Sequence, residues 1–163
     1  MKKTILVYLL VTVLVSSGCT MAKIGSGEIN DLGRYLSLKN GESTKADVYK
    51  AFGQPYDVQD KGLTWFYYKV DIKMNSATLV PFVGLLAGGN DYDVMITRMQ
   101  FNSDRLSGIE TEQQNYYVNM WVGMTGNDGS PRWSTPEVKE RVKAEMVAQG
   151  LPYDEHVNEK WRK

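Results

Sequence analysis

Residues 41–55 read Gly-Glu-Ser-Thr-Lys-Ala-Asp-Val-Tyr-Lys-Ala-Phe-Gly-Gln-Pro. Thr44 can act as an N-cap, its hydroxyl accepting an N–H from the first turn. Asp47 follows three residues later, a variant of the capping box. Val48, Ala51 and Phe52 form an apolar face at i, i+3 and i+4. Gly53 suits a left-handed closing position, and Pro55 forbids continuation. The spacing predicts a two-turn helix whose ends are both encoded locally.

Strand signals follow. In Thr64 to Met74 the even positions Phe66, Tyr68, Val70, Ile72 and Met74 are apolar, while Lys69, Asp71 and Lys73 are charged. This alternation predicts a half-buried strand with its even face inward. Trp65 and Tyr67 then share the outer face, either as exposed interface anchors or covered by the C-terminal extension. Tyr92 to Phe101 predicts a second strand, of undetermined facing. Asn102-Ser103-Asp104 is a turn signal, and Leu106 to Gln114 predicts a third strand, hairpin-connected to the second.

Ahead of this block, Ile29, Leu32 and Leu36 sit at near-helical spacing, and Asn40-Gly41 ends that segment. Near the C-terminus, Thr135-Pro136-Glu137 resembles a helix start with Pro at the first position. Val138, Val142 and Met146 form a stripe, and Gly150 and Pro152 stop it. Gly126 to Pro131 reads as a loop. The expected fold is α+β: two short helices on a three-stranded antiparallel sheet, with a C-terminal helical extension. The expected domain spans 29–118, and the extension spans 119–163 with a helix at about 136–149.

The N-terminus has the layout of a secretory signal. Lys2 and Lys3 supply charge, Ile5 to Val15 is apolar, and Ser16-Ser17-Gly18 are small. The apolar run is shorter than the about 20 residues a membrane-spanning helix needs. Cys19 follows, the only cysteine of the chain, so no intramolecular disulfide can form. The arrangement resembles the lipobox of bacterial lipoproteins, with Ser16 where that pattern usually has Leu. The resemblance implies cleavage before Cys19, with diacylglycerol on its thiol and an N-acyl chain on its amino group. Several acyl chains anchor stably where one holds only marginally. Thr20, in a position where inner-membrane lipoproteins often carry Asp, implies the periplasmic face of the outer membrane. Residues 19–28 then form the lipidated Cys and a tether.

Cleavage at residue 18 of 163 leaves 145 residues, enough for one core. Lys2 and Lys3 leave with the signal, so 17 basic and 19 acidic residues remain, a net charge of −2. That balance argues against a nucleic-acid partner.

Together, the lipobox, Gly41, Ser43-Thr44-Lys45, Asp47-Val48, Phe52-Gly53-Gln54-Pro55, the strand Trp65-Phe66-Tyr67-Tyr68 and Met99-Gln100-Phe101 resemble the SmpA/OmlA (BamE-like) outer-membrane lipoprotein family. The likeness covers roughly residues 19 to 114. It implies two helices against a three-stranded antiparallel sheet, and a role as a binding or scaffold module of β-barrel assembly. The apolar insert around Pro81 and everything after about Tyr116 depart from that pattern. The small fold serves other functions too, so fold does not decide function.

Chemistry motifs are sparse. His156 is the only histidine and sits in a charged tail. Asp91 with Asp93, and Glu110 with Glu112, have the same-face spacing of acid/base pairs, as do ordinary solvated strands. No phosphate loop or metal-ligand spacing occurs. The expectation is a non-enzymatic protein without metal, small-molecule substrate or cofactor beyond the lipid on Cys19. Its partners would be membrane lipid and an envelope protein. The second reading is an inhibitory or exclusion lipoprotein that blocks a receptor or envelope enzyme. Leu79, Val80, Phe82, Val83, Leu85 and Leu86 crowd around Pro81 and Gly84, which disfavour both strand and helix. They are expected to form a contact loop for membrane or partner, with a lid folded back on the sheet as the alternative.

Overall fold

The computed structural model describes residues 20–25, 29, 31–75, 78, 88–119 and 135–157. Its elements are β1 (Thr20–Gly25), α1 (Leu32–Ser37), α2 (Lys45–Phe52), β2 (Asp57–Gln59), β3 (Thr64–Met74), β4 (Gly89–Asn102), β5 (Arg105–Asn119) and α3 (Pro136–Ala148). The class is α+β, with an antiparallel sheet in the order β1-β3-β4-β5. The short β2 also pairs with β3, Asp57 opposite Phe66 and Gln59 opposite Thr64. The sheet thus has more strands than the expected three. The difference lies in β1, expected as tether, and in β2, too short to show a period.

The chain divides into two compact units: Met1–Lys23, Asp71–Asp93 and Asn115–Ser130 in one, Ile24–Val70, Val94–Gln114 and Pro131–Lys163 in the other. In the first, Asn75 N–H donates to Gly89 O at 3.0 Å. Thr78 closes the same corner, its hydroxyl accepting from Gly89 N–H at 2.9 Å. Lys73 pairs with Asp93 at 2.7 Å.

The second unit holds the helices and the core. In α2, Thr44 Oγ1 accepts from Asp47 N–H while the Asp47 carboxylate accepts from Thr44 N–H, the reciprocal box anticipated above. Gly53 closes the helix at φ 76°, ψ −159°. This is not the left-handed helical well but a region essentially restricted to glycine. The core gathers Val48 and Phe52 of α2, Trp65 and Tyr67 of β3, Met99 and Phe101 of β4, Leu106 of β5, and Val142 and Met146 of α3.

Two inward faces differ from expectation. On α1, Leu32 and Leu36 are 68% and 74% exposed; Tyr35 and, just beyond the helix, Leu38 face the core instead. Polar bonds set that rotation. Tyr35 Oη lies 3.0 Å from Thr97 Oγ1, which lies 3.2 Å from Thr111 Oγ1, and Arg34 donates to Ala51 O. On β3, Trp65 and Tyr67 are both 0% exposed. Of the charges that suggested the opposite facing, Lys69 is itself buried, and Asp71 and Lys73 belong to the other unit. Phe66 and Val70 are buried as well, so this stretch of β3 is covered on both faces and alternation cannot mark the inner one. On β5, Leu106 and Ile109 both pack against the core. A regular strand would point them to opposite faces, which explains the weak period there.

Candidate functional site

The residues expected to carry function fare differently. Cys19, Leu79, Val80, Phe82, Val83, Leu85 and Leu86 lie outside the described residues. Trp65 and Tyr67 are corrected: neither is an exposed anchor. Tyr67 lies against Phe52 and donates to Gly53 O, and Trp65 lies against Phe101 in the core that also holds Val142 and Met146 of α3.

Thr135 Oγ1 accepts from Val138 N–H at 3.4 Å, and Pro136 opens the helix. At the other end Leu151 N–H donates to Met146 O and Gly150 N–H to Val147 O, with Gly150 at φ 65°. That is a Schellman closure, and it turns Leu151 back against the core. Between these caps Val142 and Met146 enter the core cluster that also holds Trp65.

Polar groups fasten the helix in register. Lys45 Nζ donates to Glu145 Oε1 at 2.7 Å, with both side chains almost fully buried. The ammonium lies 5.9 Å from the Trp65 ring centroid and 5.5 Å from that of Phe101, so the aromatic faces share in solvating it. A Cβ on Gly62, at φ 90°, would stand 2.2 Å from Glu145 Oε2, so the carboxylate fits only against glycine. Arg141 Nη2 donates to Asp57 Oδ1 at 2.8 Å, and Arg141 Nε to Val58 O at 3.0 Å. Farther on, Gln54 Nε2 donates to Asp154 O and Asp154 N–H to Gln54 Oε1. Burying the Lys45–Glu145 pair costs desolvation that its attraction only partly offsets. Its contribution is to position; Val142 and Met146 carry the apolar burial. None of Glu145, Asp57 and Arg141 was singled out in the sequence, and Lys45 entered only within the Ser43-Thr44-Lys45 motif. The one local signal is that Arg141 and Glu145, four apart, flank the Val138–Val142–Met146 stripe.

The acidic pairs, Lys73 and His156 sit in ordinary surface settings, whereas Tyr67 is buried. Glu110 pairs with Arg98 at 3.1 Å, and Glu112 accepts from Gln114. The hydrogen bond from Lys73 to Asp93, helped by Asp71 and Asp91, holds the Lys73 ammonium above its usual range. Burial pushes the Tyr67 hydroxyl well above the usual phenol range, and it donates to Gly53 O at 3.0 Å. His156 meets Glu155 at 3.3 Å, both exposed. Trp65 Nε1 is buried without a hydrogen-bond partner among the described residues. Among those residues no three His, Cys, Asp or Glu side chains gather as a metal group. A groove of ≈ 500 Å³ runs between Leu38 and α2, lined by Lys39, Glu42, Asp47 and Lys50. Its two cations and two carboxylates balance, so it favours neither an anionic nor a cationic ligand.

No family model, curated protein or solved structure matches the chain. Among the described residues no helix is long and apolar enough to cross a membrane.

Proposed function

We propose that this chain is a lipid-anchored, non-enzymatic binding or scaffold module on the periplasmic face of the bacterial outer membrane. On this reading it is similar to the SmpA/OmlA (BamE-like) subunit of β-barrel assembly. The observation that carries the proposal is the N-terminal sequence: Lys2-Lys3, the apolar run to Val15, and Ser16-Ser17-Gly18 directly before the sole cysteine, Cys19. Two or more acyl chains on that residue would hold the domain at a membrane stably. The α+β class and the capped 44–53 helix agree with the resemblance. In this reading Leu79 to Leu86 meets the membrane or the partner, since contiguous apolar surface generally marks an interaction site.

Metabolic labelling with a fatty acid tests the anchor. Wild-type chain takes up label and fractionates with outer membrane; Cys19→Ala does neither. Label persisting in Cys19→Ala would sink the lipoprotein reading. A pull-down from membranes tests the role, expecting barrel-assembly subunits. Recovery of a single receptor or envelope enzyme would favour an inhibitory lipoprotein instead.

A further inference from the structure

β5 ends the sheet order of the described strands, and among the described residues its outer edge is closed only at its start. There Thr44 and Arg105 form an antiparallel bridge. Leu106 N–H donates to Ser43 O at 2.8 Å, and Gly41 N–H to Leu106 O at 2.7 Å. From Ser107 to Gln113 no described residue pairs with that edge. An open edge offers a row of N–H and C=O groups that template another strand. The stretch contains no Pro and no Lys, residues that commonly blunt such edges.

Charge selects the occupant. Glu110 and Glu112 are exposed and alternate along the strand, which puts them on one face. A second copy laid antiparallel on this edge would set these carboxylates against their own counterparts, and like charges across a pair of strands are destabilising. An extended segment with Lys or Arg at alternate positions would instead place a cation near each.

We propose that the Ser107–Gln113 edge of β5 binds a basic, extended polypeptide segment as an added strand. Backbone hydrogen bonds supply affinity, and Glu110 and Glu112 select the basic side chains. The inference rests on sheet order and charge, not on the lipid anchor, so its failure leaves the Cys19 reading untouched.

The test uses the full chain in detergent and two synthetic peptides of about seven residues, the length of a typical strand. One alternates Thr with Lys, the other Thr with Glu. The Lys peptide should slow amide exchange within Ser107–Gln113 and bind more weakly as salt rises; the Glu peptide should do neither. Reversing both charges, Glu110→Lys with Glu112→Lys, should weaken the Lys peptide roughly tenfold and admit the Glu peptide. Glu112→Gln, which introduces no new charge, should weaken the Lys peptide by less and serves if the double variant does not fold. The proposal is overturned by absence of Lys-peptide binding, or by binding that leaves exchange at 107–113 unchanged. Concentration-dependent protection of that edge in the chain alone would overturn it in favour of self-pairing.

Discussion

Lys45 and Glu145 stand 100 residues apart in the chain, and their side chains meet at 2.7 Å in an almost fully buried ion pair. Lys45 is the first residue of α2 and Glu145 lies in the last turns of α3. The pair therefore ties the C-terminal extension to the capped helix α2.

Glu145→Ala should destabilise the fold by about 3–5 kcal/mol, because it leaves the Lys45 ammonium buried without its carboxylate. Replacing both partners, Lys45→Met with Glu145→Leu, should recover most of that loss. Denaturant unfolding of the two variants measures it. If the double variant is as unstable as the single losses added together, the pair is not coupled and the clasp is misread.

Met146→Ala should cost about 2–5 kcal/mol, the range for emptying a buried large side chain. Met146 is fully buried in the core cluster that also holds Trp65, so Trp65 fluorescence should shift as well. A surface-like change in stability, below about 0.5 kcal/mol, would mean that α3 does not dock as described.

Gly53→Ala and Gly53→Val should each lose about 1–3 kcal/mol through backbone strain. A Cβ at Gly53 has nothing within 4 Å, so side-chain size should matter little. Thermal melting distinguishes the cases: equal losses indicate strain, and an unchanged midpoint would place the helix end elsewhere.

Hydrogen bonds from the Thr44 backbone and hydroxyl hold the Asp47 carboxyl below its ordinary value of 3.8. A depressed folded value stabilises the fold above pH 3.8, and that stability is lost as pH falls through the folded value. Asp47→Asn should accordingly flatten the acid limb of the stability–pH curve. Thr44→Ala should cost about 1 kcal/mol near neutrality. An acid limb that Asp47→Asn leaves as steep as before would assign it to other carboxylates.

Much of the local architecture was legible because its causes are local. Thr44, Asp47 and Gly53 write one helix, and Thr135, Pro136 and Gly150 another, through caps that act within a turn of themselves. Tyr92 to Phe101 and Asn102-Ser103-Asp104 announced a strand and a turn by period and turn chemistry. Facing was not legible. Trp65 and Tyr67 were assigned outward because Lys69, Asp71 and Lys73 share their parity. Alternation reports which face is wetter only where one face is wet, and around Trp65 both are covered. Part of that core comes from α3, and no residue near Trp65 in sequence encodes it. The meetings of Lys45 with Glu145 and of Asp57 with Arg141 arise only when distant segments are packed together. Sequence alone marked the caps of α2 and α3 and the middles of β3, β4 and β5, because capping and periodicity act over a few residues, but it missed β1 and β2. Tertiary structure alone decided which faces are buried and which strand edge stays open, because burial belongs to the neighbours a segment acquires on folding.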